Sequence, residues 1–181
     1  MLKKLLKAVV LTLLAFLLQT TLSSQITIGD VAPNIALAMV AVVTVGWGKK
    51  YTFAMSVTIG YLMEILLPAL DYISLVLYPV AAMLASIFLA DKSERKLEEL
   101  KASGRSTKQW NPHVRTPLAA LLSILVYEGV HLFYIFLNGV TIGSTQIGRF
   151  VISVVYTTLL CALLQFPMRK FMGVYKVKKA R

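Results

Sequence analysis

The sequence VAPNIALAMVAVVTVGWGKK at residues 31–50 decides the fold, because 18 residues without a charge end at a pair of lysines. A helix of this length is long enough to cross about 30 Å of hydrocarbon at about 1.5 Å per residue. Within lipid, a helix is also the one open-ended way to satisfy every backbone N–H and C=O group. The pattern therefore predicts a membrane-spanning helix over Val31–Gly48.

Five further apolar stretches of similar length surround this segment. They lack the alternation over about ten residues that a membrane β-barrel requires. The whole chain is 57% hydrophobic and 15% charged, against about 25% charged residues in a soluble domain. We therefore expect an all-α, polytopic six-helix transmembrane bundle that forms a single integral membrane domain over residues 1–181. Together the six predicted spans cover 112 of the 181 residues and comprise Leu5–Leu22, Val31–Gly48, Tyr51–Leu67, Ile73–Ala90, Pro117–Leu137 and Ile147–Phe166.

Basic residues alternate between the links that join the predicted spans. The chain has 19 Lys and Arg and 8 Asp and Glu, for a net charge of +11. On a soluble domain this excess would suggest nucleic acid, but 18 of the 19 basic residues fall on one side of the six spans, with Arg149 as the exception. Cytoplasmic loops carry such an excess. We therefore predict a multi-pass membrane protein with both termini cytoplasmic and no nucleic-acid partner.

Two segments need separate interpretation. The first span follows three lysines and has the polarity of a signal peptide, but Thr21–Gln25 offers no small-residue cleavage site, so we expect an uncleaved span. The basic segment 91–116 is the one sizeable soluble piece and is predicted to be a cytoplasmic link between spans four and five. Its charge either fixes the topology or meets anionic lipid or a cytoplasmic filament.

Few ionisable residues lie within the predicted spans, and three of them are candidate functional residues. Glu64 falls near the outer end of span three, Glu128 near the middle of span five, and His131 one turn later on the same helical face. A charge at mid-bilayer costs at least about 2.5–3.5 kcal/mol, so such groups usually face the protein interior. Glu128 and His131 form either a proton relay or ligand pair, or a structural hydrogen bond between helices. Glu64 either has a functional role or lies close enough to the membrane surface for its carboxylate to reach the headgroup region.

Other polar groups have simpler interpretations. Arg149, on the outer side, is expected to pair with Asp30, Asp71 or Glu64, or to contact a lipid or a partner. Interhelical hydrogen bonds account for Gln19 and Gln165. Cys161 is the single cysteine, which excludes an intrachain disulfide and most metal sites. With no P-loop, HExxH or GxSxG motif, we expect neither catalysis nor a cofactor.

Three consecutive segments resemble a known family. They read APNIALAMVAVVTVGWGKK at 32–50, YTFAMSVTIGYLMEILLPAL at 51–70 and DYISLVLYPVAAMLASIFLADK at 71–92. This arrangement is similar to the bacterial rod shape-determining protein MreD family, whose members begin span two with Pro-Asn or Pro-Asp and carry a Gly-x-x-x-acid motif in span three. The matching residues are Pro33, Asn34, Gly46, Gly48, Gly60 and Glu64.

The resemblance implies a function that the residues alone do not. MreD-like proteins are non-enzymatic membrane scaffold subunits of the cell-elongation machinery that directs side-wall peptidoglycan synthesis. The implied partners are an MreC-like membrane protein, the wall-synthesis glycosyltransferase and transpeptidase, membrane lipid and, indirectly, MreB filaments. The implied fold is similar to the substrate-binding S component of energy-coupling-factor transporters.

That similar fold supplies the alternative function, a substrate-binding subunit of a small-solute or vitamin transporter. Glu128 and His131 favour it. Against it, span one lacks an Ala-x-x-x-Ala pair, the outer links are short, and few polar residues lie at depth for a ligand pocket.

Overall fold

A computed structural model describes residues 2–66, 72–91, 94–104 and 110–174. All regular structure in these ranges is helical, with no β-strand, which confirms the predicted all-α class. Parts of three predicted segments lie outside the described residues, namely 67–71 of the link that includes Asp71, 92–93 and 105–109 of the basic link, and 175–181 of the tail. The helices are α1 (Leu2–Thr21), α2 (Ile35–Trp47), α3 (Lys49–Leu66), α4 (Ile73–Leu89), α5 (Glu94–Ala102), α6 (Pro112–Leu137) and α7 (Ser144–Met172).

Six of these helices each contain most of one apolar stretch, whereas α5 lies in the basic link. Two of them, α6 with 26 residues and α7 with 29, are long and apolar enough to cross a membrane. The helices α2 and α4 are apolar but shorter, with 13 and 17 residues. The connection between α2 and α3 is a single residue, Gly48, in the left-handed region with φ of 81°.

Helix α2 lies at the centre of the bundle. Every residue from Ile35 to Val45 is buried, and α2 packs against α1, α3, α4, α6 and α7. The remaining long helices enclose it, with α3 against α4, α4 against α6, and α6 against α7, while α1 packs against α2 and α3. Because α2 contains no charged residue, it is buried on all sides without leaving an ion in the core.

The starts of α2 and α6 differ most from the predicted spans, by four and five residues. α2 begins at Ile35 rather than near Val31, because Ile28 and Val31 pair across a tight turn through Gly29 and Asp30, whose φ values are 57° and 61°. α6 begins at Pro112 rather than Pro117, since the Asn111 side chain accepts a hydrogen bond from the His113 N–H at 3.0 Å and caps the helix.

Candidate functional site

The head of α2 is a buried hub that joins four helices. The Asn34 Oδ1 atom accepts hydrogen bonds from the Leu37 N–H at 3.0 Å and from the Tyr78 hydroxyl of α4 at 3.3 Å. The backbone N–H of Asn34 donates to Thr157 Oγ1 of α7 at 3.0 Å. The side chain therefore caps its own helix and simultaneously fixes the positions of two neighbours.

Gln19 extends this hub to α1. Its Oε1 atom accepts from the Ala36 N–H at 3.0 Å, and its Nε2 donates to the Pro33 carbonyl at 3.5 Å. The predicted interhelical role of Gln19 is confirmed. The same prediction is wrong for Gln165, whose Nε2 donates within α7 to the Ala162 carbonyl at 3.0 Å. Pro33 and Asn34 are thus surrounded by protein at the point where four helices meet.

The second pair of resemblance residues, Gly60 and Glu64, lies at the junction of α3 and α4. A Cβ atom at Gly60 would lie 2.7 Å from the Ser74 carbonyl oxygen and 3.2 Å from Leu75 Cα, so the two backbones approach as closely as glycine allows. One turn later, the buried Glu64 carboxylate accepts from the Tyr72 N–H at 2.9 Å and the Ser74 N–H at 3.2 Å. Glu64 therefore caps α4, where free N–H groups and the helix dipole favour a carboxylate. Its carboxylate faces α4, and the expectation that it reaches the surface is wrong.

Glu128, His131 and Arg149 come together around one cavity between α6, α7 and the turn before α2. The cavity has a volume of about 270 Å³. Glu128 Oε1 accepts a hydrogen bond at 2.7 Å from Ser153 Oγ of α7, so the carboxylate joins two helices. Glu128 and His131 share one wall, as their spacing predicted. The remaining wall includes Asp30, Gln146 and Phe150.

Arg149 is exposed at the mouth of this cavity, in the second turn of α7. Among the described residues it forms no ion pair. Of its three predicted partners, Asp30 lines the same cavity, Glu64 caps α4, and Asp71 lies outside the described residues. The cavity therefore presents one guanidinium, one imidazole and two carboxylates to whatever enters it.

A polar cluster at the opposite ends of α6 and α7 was not predicted as a site. Arg115 and Arg169 are 5% and 6% exposed, although both had been assigned only to the charge pattern of the links. Arg115 forms an ion pair with Asp91, which follows α4. Arg169 donates to the Pro112 carbonyl at 2.7 Å and to Thr116 Oγ1 at 2.6 Å. These contacts tie the ends of α4, α6 and α7 together. The sequence did not distinguish Arg115 from the other basic residues of the link, because span five was predicted to begin only at Pro117.

The described residues have few features of a reactive centre. Cys161 is fully buried, with its Sγ 3.4 Å from the Ala38 carbonyl oxygen. Within the described ranges, no three His, Cys, Asp or Glu side chains are grouped closely enough to hold a metal ion. Many hydroxyl groups donate to a carbonyl of their own helix, and the side chains of Gln19, Asn34 and Glu64 cap helices or join them. At the cavity near Glu128, several ionisable groups line an open space.

Comparison with known proteins provides no relative. No family model, no curated protein and no solved structure matches this chain. Function therefore has to be argued from the residues and their geometry.

Proposed function

We propose that the six helices other than α5 cross a bacterial cytoplasmic membrane as one bundle. The distribution of polarity supports this, because large apolar side chains cover the outside of the helices while hydroxyl, amide and carboxylate groups are buried. Phe88, Leu159 and Leu163 are 74%, 61% and 69% exposed, whereas Thr52, Ser56 and Thr157 are fully buried. Apolar surface on this scale is costly in water and favourable in lipid.

The shortness of α2 is compatible with this placement. Its 13 residues extend over about 20 Å, less than the hydrocarbon thickness of about 30 Å. The turn at 28–34 that completes its path is partly enclosed by protein, since Val31, Pro33 and Asn34 are buried. Non-helical backbone is tolerated at membrane depth where it is buried in protein. At the buried end of this turn, the Asn34 N–H and the Pro33 carbonyl have partners on α7 and α1.

The charges favour one orientation of this bundle. Lys3, Lys4 and Lys7 open α1, Lys49 and Lys50 open α3, and the basic link joins α4 to α6. By the positive-inside rule these ends lie in the cytoplasm, and the loop between α6 and α7 lies outside.

Within this membrane placement, we propose that the protein is a non-enzymatic scaffold subunit of the cell-elongation machinery, related to the MreD family. The observation that carries the proposal is that four of the six residues of the resemblance, Pro33, Asn34, Gly60 and Glu64, lie at helix junctions. A motif whose residues form helix junctions specifies a bundle shape rather than a reaction. Partners would then contact the apolar outer faces within the bilayer, and an MreC-like protein would supply the domain outside the membrane.

Affinity purification from native membranes followed by mass spectrometry tests the scaffold role. The scaffold predicts recovery of an MreC-like protein and of the wall-synthesis glycosyltransferase and transpeptidase. A matched sample of an unrelated six-span protein at equal expression controls for nonspecific capture. Recovery of none of these partners, from membranes in which the tagged chain restores growth of a deletion strain, would contradict the proposal.

The cavity at Glu128 favours a second candidate, a small-solute-binding subunit of a transporter. Its volume of about 270 Å³ lies just below the usual range of about 300–1,000 Å³ for ligand pockets. It also combines cationic and anionic side chains, as a zwitterionic solute would require. This candidate predicts that a transporter ATPase pair, rather than wall-synthesis proteins, is recovered in the same purification.

A further inference from the structure

A groove runs between α1 and α3 on the outside of the bundle, away from the cavity at Glu128. Its volume is about 350 Å³. The groove is deep because Ala8 and the exposed Ala54 face it, and the buried Met55 contributes to its floor. Leu5, in the first turn of α1, and Lys50, in the first turn of α3, lie at one end.

The walls of the groove are apolar even where they carry hydroxyl groups. Thr12 Oγ1 donates to the Ala8 carbonyl at 2.8 Å, and Thr58 Oγ1 donates to the Ala54 carbonyl at 2.8 Å. Each threonine hydroxyl is therefore engaged by its own helix and adds no free donor to the groove. Tyr51, next to Lys50, supplies the remaining hydroxyl of the lining, so the rest of the groove accepts hydrocarbon.

The end at Lys50 is strongly cationic. Lys50 is exposed and lines the groove, and Lys4 lies one turn before Ala8 on the same side of α1. Neither helix supplies a counter-ion there, since α1 contains no acidic residue and the single acid of α3, Glu64, caps α4 at the other end. Lys7 is engaged elsewhere, because its Nζ donates to the Phe171 carbonyl at 2.6 Å.

We propose that this groove binds one anionic phospholipid of the cytoplasmic leaflet, with an acyl chain between α1 and α3 and the phosphate at Lys50. An apolar slot that ends at a lysine, where neither lining helix supplies a counter-ion, is complementary to a molecule with a hydrocarbon tail and an anionic head. An apolar transmembrane helix of a partner offers no anion to Lys50, so charge complementarity favours the lipid. The inference rests on the proposed membrane placement and is independent of the scaffold role.

Native mass spectrometry of the purified full chain tests the proposal, with phosphatidylglycerol and phosphatidylcholine of equal chain length as probes. Phosphatidylglycerol is expected to bind as a single tight adduct. A lysine near the membrane surface contributes about 1 kcal/mol, so Lys50→Gln should weaken this binding about fivefold. Lys49→Gln is the matched control, since Lys49 is adjacent but does not line the groove, and it should change binding less than twofold.

A second pair of variants tests the acyl-chain slot. Ala54→Leu fills the groove from an exposed position and should weaken phosphatidylglycerol binding at least tenfold. Ala162→Leu, on α7, adds the same volume elsewhere and should leave binding unchanged. Thermal stability and gel-filtration elution volume are measured for every variant. Lipid binding is compared among the variants that match the wild type in both, so that misfolding is not mistaken for loss of the site.

Three results would overturn the inference: equal binding of the two lipids, equal effects of Lys49→Gln and Lys50→Gln, or wild-type binding by Ala54→Leu. Photo-crosslinking from position 54 to a partner helix instead of to lipid would likewise contradict it. Because membrane placement is tested separately by labelling, loss of the lipid site alone would leave the proposed topology and scaffold intact.

Discussion

The close approach of α3 and α4 at Gly60 yields the sharpest prediction. In a Gly60→Ala variant, the new Cβ would lie 2.7 Å from the Ser74 carbonyl oxygen, whereas ordinary contacts begin at 3.4 Å. The obstacle is backbone, so no side-chain rotation relieves it. The first turn of α4 therefore has to move by about 0.7 Å, the difference between those two distances.

That movement also reaches the carboxylate that caps α4. The bond from the Ser74 N–H to Glu64 Oε2 measures 3.2 Å, and a further 0.7 Å along it would give about 3.9 Å, beyond hydrogen-bond range. Overpacking costs about 1–3 kcal/mol, and losing a bond to a charged acceptor costs about 1.5–3 kcal/mol. Alanine recovers about 1 kcal/mol of helix propensity. These ranges sum to a net loss of about 1.5–5 kcal/mol in the free energy of unfolding. We expect a value near the lower end, about 2 kcal/mol, because the Tyr72 N–H remains as a second donor to Glu64.

Thermal unfolding of the purified protein in detergent measures this loss. For a chain of this size, about 2 kcal/mol corresponds to a fall of about 4–8 °C in the unfolding midpoint. Gly129→Ala in α6 is the matched control, because no atom lies within 4 Å of a Cβ added there. That control gains helix propensity without a clash, so its midpoint should equal or exceed that of the wild type.

A midpoint for Gly60→Ala at or above that of Gly129→Ala would refute the reasoning. The double variant with Glu64→Gln provides an independent check. If the clash acts partly through the cap, the two changes should be non-additive by at least about 0.5 kcal/mol. Strict additivity would show that the cap and the close approach are independent.

Three further predictions concern the hub, the cavity and the buried arginine. Asn34→Ala should lower the free energy of unfolding by about 1–2 kcal/mol, since it removes a helix cap, whereas Tyr78→Phe should lower it by less than about 1 kcal/mol. Chemical unfolding in mixed micelles measures both losses. Equal losses would contradict the capping role of Asn34. Glu128→Ala should lower stability in detergent while an MreC-like partner still co-purifies, and loss of the complex in a well-folded variant would place Glu128 at the interface. Arg169→Ala should cost about 3 kcal/mol because buried acceptors lose a charged donor, and an unchanged unfolding midpoint would show that Arg169 is not structural.

The helical class and the helix positions followed from the sequence because hydrophobicity is a local property. The run from Val31 to Gly48 predicted α2 without reference to the rest of the chain. Its start was misplaced by four residues, since the pairing of Ile28 with Val31 and the cap by Asn34 depend on turn geometry rather than composition. Helix α6 began earlier than predicted for the same reason, because Asn111 caps it before Pro117.

The polar sites were harder to predict because their partners lie on other helices. The spacing of Glu128 and His131 placed both on one face of α6, but the hydrogen bond of Glu128 to Ser153 depends on how α6 and α7 are aligned. Glu64 could be recognised as unusual but not as a cap, since the N–H groups it binds lie 8 and 10 residues away across a link. The sequence analysis assigned Arg169 to the cationic tail, because composition alone did not show that α7 continues to Met172.

Cysteine labelling in intact cells tests the membrane topology, on which the other proposals rest. On a Cys161→Ala background, Val140→Cys places a thiol in the exposed loop between α6 and α7, and Ser103→Cys places one in the basic link. The proposed topology predicts that a membrane-impermeant maleimide labels position 140 in intact spheroplasts, and position 103 only after permeabilisation. Labelling of position 103 from outside, or of both positions equally, would contradict the six-span arrangement with cytoplasmic termini.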